Sequence, residues 1–427
     1  MRGAWSGVVA AAFLAPLLSG CLGQDPSGAT DDPGDEAAVT SQDFAALAAL
    51  LADVPCDVGP VGATGTSGNL LRLGGVEFDR GDHAELDIEG DLAVISTHGA
   101  DGFELLGLTN RTGPTLLSTF TGDRATSLDV KLHPDLTTVF QGVPSGVEIV
   151  DIRDRVNPVK TGDWRFEDGV TPPPPAEGRP TNAHMLFAYV IDNQTWLFVA
   201  PEDNLGVRIL KVEGAPGAYT LRQVARAGEY LNGVLGPHDM WATWDAALGT
   251  HVLYVANGFH GWLAYDIKDP TRPQLLGGMV NADTHQGYIH TIQAEWIGGR
   301  RLVATISEVG VNAMRVFDAT DLRVPKFLGS WQSGVPVAFQ HNLQLVNGTL
   351  VFSHYGQGVF VFDLTKVGAT PYGQTLQLQP VAHYSVDGSS WDVNVKDGLL
   401  YVGDSAALHV VGYGCWTPGS PNLTSTG

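Results

Sequence analysis

Five histidines, His83, His184, His238, His290 and His341, each stand at the start of an apolar, strand-like segment, and Ser127 and Trp391 occupy the same place in two further segments of the series. A second set, His98, Glu202, His260, Glu308, His354 and Asp404, follows a little further along each segment. Imidazole and carboxylate are the donors that Zn, Cu, Fe and Mn ions accept, and a site for such an ion needs several of them gathered from distant parts of a chain. The candidate ligands are therefore His83, His184, His238, His290 and His341, assisted by His260, Glu308 or His354. At ligand distances of ~2.0–2.1 Å at most three of the five ring histidines can reach one ion, which leaves the others as hydrogen-bonding neighbours. The column also has a purely structural use, since a side chain copied through duplicated units can bond the backbone of the next unit and hold no metal. The elements that carry these residues decide between the two.

Those elements repeat. Seven segments align, at residues 102–108 (GFELLGL), 146–152 (GVEIVDI), 206–212 (GVRILKV), 261–267 (GWLAYDI), 313–319 (AMRVFDA), 358–364 (GVFVFDL) and 407–413 (ALHVVGY). Their starts lie 44, 60, 55, 52, 45 and 49 residues apart, which suits the ~40–50-residue blades of a β-propeller. Pro114, Pro158, Pro273 and Pro325 each stand twelve residues after a segment start and precede another strand-like stretch. Two further strands lie upstream of each segment, so one repeat makes a four-stranded sheet that buries its faces only by stacking on its neighbours. The expected fold is all-β, a seven-bladed propeller over residues 68–415, with the missing outer strand of the last blade supplied by residues 69–78 (NLLRLGGVEF). In such a ring the first strands surround the axis. Their starting ends open on the face formed by the loops between second and third strands, so both sets of candidate ligands meet at one mouth of the channel.

Composition narrows the partners. With 24 Lys+Arg against 46 Asp+Glu the net charge is −22, and no basic stretch offsets a charge that would repel a polyanion, so no nucleic acid is expected. No G-x-S-x-G elbow, phosphate-binding glycine loop or H-E-x-x-H helix occurs. The aspartates that end the third strands, Asp151, Asp266, Asp318 and Asp363, have the spacing of turn caps rather than of a Ca²⁺ loop. Pro172–Pro175 reads as a rigid surface insertion, and Asn110, Asn193, Asn347 and Asn422 begin glycosylation triplets, of which Asn347-Gly348 is also a hairpin-turn pair.

The strands GVEIVDI and GVFVFDL, followed by Asp154 or by Asp269-Pro270 and the later proline, resemble those of LVIVD-repeat proteins. That resemblance covers roughly residues 68–413 and implies an exported propeller; copies one and seven depart from it, with Gly107 and Gly412 where the family strand ends in Asp. The N-terminus agrees on export. Arg2, an apolar run over residues 5–18 and the sequence Leu18-Ser19-Gly20-Cys21 resemble a lipoprotein signal, which implies cleavage of residues 1–20 and lipidation of Cys21. An ordinary secretory signal or an uncleaved anchor are the alternatives, and each of them also exports the chain. Residues 21–42, with Asp31-Asp32-Pro33-Gly34-Asp35-Glu36, form an acidic tether. Phe44, Leu47, Ala48 and Leu51 put one apolar face on a short helix over residues 42–53, capped at Ser41, within a helix-and-linker segment at 43–67. Residues 416–427 are a polar tail. If Cys21 carries lipid, Cys56 and Cys415 remain as a pair in an oxidising compartment and are expected to form a disulfide, the alternative being two free buried thiols.

Two functions follow. One is a lipid-anchored, extracytoplasmic propeller that binds a protein, glycan or small molecule on its channel face. The other is a metal-dependent, His-ligated enzyme, for which the seven-bladed selenium-binding protein/methanethiol oxidases give an architectural analogy without a matching motif.

Overall fold

The computed structural model describes residues 65–415, apart from 80–82, 99–101, 123–125, 145, 167–181, 202–205, 229–235, 281–287, 309–312, 336–338 and 368–374, together with 49, 54–56 and 61. The signal segment at 1–20 with Cys21, the tether, all but one residue of the expected helix, Pro172–Pro175, Glu202, Asn422 and the tail lie outside the described residues.

Among the described residues there are seven sheets, antiparallel throughout except that the short strand Leu376–Gln377 adds in parallel to the outer edge of blade five at Gly329 and Ser330. Blade one holds His83–Glu89, Leu92–Thr97, Phe103–Gly107 and Thr115–Phe120. Blades two, three and four begin with Val130–Leu132, Met185–Ile191 and Asp239–Asp245, and blades five, six and seven with Ile292–Ile297, Leu343–Val346 and Ser390–Lys396. Each first strand touches that of the next blade, and that of blade seven touches that of blade one, so the ring is closed. In blade seven the outermost strand is Leu70–Glu77, which pairs with Ala407–Tyr413 in a register running from Leu70 opposite Tyr413 to Glu77 opposite Ala407. Near this joint the sulfurs of Cys56 and Cys415 lie 2.15 Å apart, at disulfide distance.

Burial explains the strand chemistry. Seven apolar clusters are each shared by two consecutive blades. A strand between two such clusters is covered on both faces and needs no polar alternation, which is why Leu92–Thr97 (LAVIST) is buried throughout. Outer strands alternate instead, as Val159–Arg165 does. The glycine that opens many third strands has a steric cause. A Cβ on Gly102, Gly146 or Gly358 would stand 1.9–2.1 Å from the carbonyl oxygen of Phe120, Trp164 or Tyr384 at the end of the fourth strand. The repeated prolines immediately precede the fourth strands Thr115–Phe120, Val159–Arg165, Gln274–Val280 and Lys326–Trp331, where a fixed φ and a missing N–H are tolerated at a strand edge.

The turn aspartates act as caps. Asp151, Asp266, Asp318 and Asp363 each accept the backbone N–H two residues on, from Arg153, Lys268, Thr320 and Thr365, at 2.8–3.0 Å. Asn347 and Gly348, at φ 51° and 78°, make the hairpin turn between Leu343–Val346 and Thr349–Ser353.

Candidate functional site: a histidine arc at the channel mouth

Strand register fixes which residues share the ring. His184, His238, His290 and His341 donate their backbone N–H groups to the carbonyls of Ala200, Ala256, Ile306 and Ser353, at or just past the ends of the adjacent second strands. In blade two the equivalent donor is Leu128, bonded to Gly142, and not Ser127. In blade one Glu85 N–H bonds Ser96 Oγ as Asn342 N–H bonds Ser353 Oγ in blade six, which makes Ala84 the ring residue and places His83 one step early. A register irregularity between His83 and Leu86 is the cause, since a slip of one residue turns a side chain to the other face. His83 accordingly leaves the arc: its ring stacks on Phe78 at 4.2 Å and its Nε2 lies 3.6 Å from Glu104 Oε1.

The other four histidines form a continuous arc on blades three to six. Ring centroids are 4.5 Å apart for His184 and His238, 4.0 Å for His238 and His290, and 4.5 Å for His290 and His341. Trp391 of blade seven follows, 5.1 Å from His341. His184 Nε2 and His238 Nε2 are 2.9 Å apart. His238 is hydrogen-bonded to the backbone of His290, His290 to that of His341, and His341 Nδ1 lies 2.8 Å from the Trp391 carbonyl oxygen. The two expectations for the column therefore coexist, because each of these rings has two nitrogens and spends one on the neighbouring blade. A carbonyl acceptor fixes the proton on the nitrogen facing it and leaves the other as a lone pair, the tautomer that a metal ligand needs. Burial, with the neighbouring imidazoles, holds His238 and His290 well below the ordinary histidine range, and burial pushes His341 down to about 3. The arc is neutral.

One carboxylate joins it. Glu308, on the loop after the second strand of blade five, places Oε2 3.4 Å from His290 Nε2. Donor atoms of His238, His290 and Glu308 all lie within 4.8 Å of one another, which no other group of three such residues achieves among the described residues. The remaining candidates are not members of that three-donor group. His354 packs among Trp331, Phe352 and Phe360 at 5.7–6.2 Å, where burial pushes it down to about 4. His260 is half-buried on its loop and His98 lies 5.8 Å from Trp391. Asp404 accepts from His409 Nε2 at 2.9 Å.

Beneath the arc lies a feature that the histidine pattern did not reveal. Glu85, Asp129, Asp239 and Asp392 are buried near the axis, with Lys131 Nζ 2.5 Å from Asp129 Oδ1. Asp129 accepts the N–H of Leu186 at 2.7 Å and Asp392 that of Leu86 at 2.9 Å, so each staples its blade to the next. Burial pushes Lys131 down, but Asp129, Asp87 and Glu85 outweigh it and hold the ammonium above its ordinary value. Burial also pushes Asp392 up to about 8, against the N–H groups of Leu86 and Val393 and the charge of Lys131. A carboxyl raised in the folded state binds a proton that the unfolded chain has released. Its contribution is therefore full below pH ~4 and is lost as pH climbs towards 8, at no more than ~1.4 kcal/mol per unit. Denaturant titrations are expected to show unfolding free energy declining from pH 6 to pH 8, with a shallower decline in Asp392→Asn. An equal slope in both proteins would remove Asp392 as the source.

No family model and no curated protein matches the chain. Among solved structures it is similar to a computationally designed protein, Ika8, at a TM-score of 0.50 and 13% identity, over 82% of this chain and 100% of that one. The likeness is one of fold. The count of seven blades rests on this chain's own sheets, and the likeness says nothing of ligands, so the chemistry has to come from the arc itself.

Proposed function

We propose that this propeller is a binding module whose channel face holds a transition-metal ion, with His238, His290 and Glu308 as protein ligands and His184 beside them. The carrying observation is the approach of those three donor sets to within 4.8 Å of one another. Supporting it are the carbonyl bonds that orient the imidazoles and the set of donors, two nitrogens and an oxygen, which suits Zn, Fe, Mn or Cu. Fewer than four protein ligands leaves a position for an exogenous molecule, which is how a binding module could also become an enzyme. Consumption of O₂ by the loaded protein would be the assay for the oxidase form of this reading. The primary test is metal content after purification without an affinity tag. One ion per chain is expected; no ion, and no uptake on dialysis against Zn²⁺, Mn²⁺, Fe²⁺ or Cu²⁺, would leave a metal-free module that binds a protein, glycan or small molecule.

We further propose export and lipid anchoring through Cys21, a reading supported by the signal-like N-terminus, by the likeness of the repeat strands to LVIVD-repeat proteins and by the Cys56–Cys415 pair, which suits an oxidising compartment. Cys21→Ser is expected to release the protein from membranes into the medium. Retention on the membrane would point to an uncleaved anchor.

A further inference from the structure

We infer that Tyr355 is a positioning residue of the channel-face site, its hydroxyl aiming the Glu308 carboxylate at the ion held with His238 and His290. The inference deepens the metal reading above and rests on it.

The internal repeat supplies the argument. In blade four the loop between second and third strands closes with Asn257 N–H on Gly261 O and His260 N–H on Asn257 O. In blade six the same two bonds run from His354 N–H to Gly358 O and from Gln357 N–H to His354 O. Gly258 and Tyr355 are thus equivalent, and each also bridges to the residue before the next ring position, Ile289 and Ser390 respectively. Gly258 has φ 53°, a left-handed conformation that glycine adopts without penalty, whereas Tyr355 has φ 37° in the same turn. A bulky residue is held there against its backbone preference, and such outliers persist where the surrounding structure makes use of the side chain.

The use is visible. Tyr355 donates its hydroxyl to Glu308 Oε1 at 2.8 Å, while Glu308 Oε2 faces His290 Nε2. The ring stands 4.9 Å from both His341 and Trp391, so the hydroxyl is delivered from a fixed wall. Tying one carboxylate oxygen orients the other. A partner that orients a ligating carboxylate in this way is worth ~10–100-fold in metal affinity.

Titration with Co²⁺ tests the inference, because its visible bands report coordination as well as occupancy. Tyr355→Phe keeps the ring and deletes the hydroxyl; it is expected to weaken Co²⁺ binding ~10–100-fold and to shift the bands, while the metal-free protein still folds and unfolds cooperatively at a lower midpoint, because a buried Glu308 oxygen loses its donor. Glu308→Gln should weaken binding at least as much, and adding Tyr355→Phe to it should cost nothing more, since the hydroxyl acts through that carboxylate. If the parent protein binds no Co²⁺, the metal reading fails and this inference with it. If the parent binds and Tyr355→Phe binds within twofold, or if the two substitutions are additive, the metal reading stands and Tyr355 does not position Glu308.

Discussion

Replacing both His238 and His290 by asparagine should abolish metal uptake while leaving the propeller close to its parent stability, whereas replacing both by alanine should cost metal and stability together. The difference follows from the two nitrogens of each ring. His238 and His290 are bonded to the backbone of the next blade, His290 Nε2 also faces Glu308 Oε2, and His238 Nε2 lies 2.9 Å from His184 Nε2 in the same cluster. The amide nitrogen of asparagine branches from Cγ, where Nδ1 of histidine does, so it can still donate to the neighbouring carbonyl but carries nothing to the position of Nε2. Alanine removes both functions and leaves a buried acceptor unsatisfied at each site, at ~1–3 kcal/mol apiece. Isothermal titration with Zn²⁺ and thermal melting of the metal-free variants measure the two effects separately. Metal binding that survives in the asparagine pair would remove these residues as ligands. A fall in stability as large as that of the alanine pair would show that the His184–His238 contact, which both pairs of substitutions remove, holds the blades more strongly than the carbonyl bonds do.

The sequence made the blade count legible because its cause is local and repeated: the glycine under a crossing carbonyl, the proline at the edge strand and the Asp-capped turn each recur at a fixed offset. The arc was legible in part for the same reason. His184, His238, His290 and His341 each stand just before the first strand of a blade and bond the end of its second strand, so counting back strand by strand found them. Counting failed at blade one, where the irregularity between His83 and Leu86 shifts the pairing by one and sends His83 to Glu104. Periodicity carries no signal for such a shift. His354 shows a second limit, since a residue on the correct loop can still turn into the aromatic cluster of its own blade. Tyr355, the next residue, points to the site and drew no notice, because the feature that marks it is a dihedral angle inherited from a turn that elsewhere takes glycine.

The joint between blades four and five should respond most strongly to Asp245→Ala. The Asp245 carboxylate accepts from Arg301 Nε at 2.7 Å and Nη2 at 2.6 Å, from Trp296 Nε1 at 3.1 Å, and from the backbone N–H groups of Ala247 and Leu248 at 3.1 and 3.0 Å. Arg301 is 1% exposed, so removing its counter-charge strands a guanidinium where water cannot reach it. Breaking one partner of a buried pair costs ~3–5 kcal/mol, because the survivor keeps its desolvation penalty without its compensation. Denaturant unfolding is expected to show that loss in Asp245→Ala and a smaller one when Arg301→Met is added, since the double variant has no buried charge left to strand. Metal affinity should not follow stability here. Asp245 ends the strand Asp239–Asp245, whose other end adjoins His238, and at ~3.3 Å per residue the carboxylate stands about 20 Å from the arc. Affinity for Zn²⁺ measured well below the melting temperature should therefore equal that of the parent. A tenfold loss at that distance would mean that the blade joint and the channel mouth move as one unit, and that the arc is held by the ring as a whole instead of by the local bonds to the next blade.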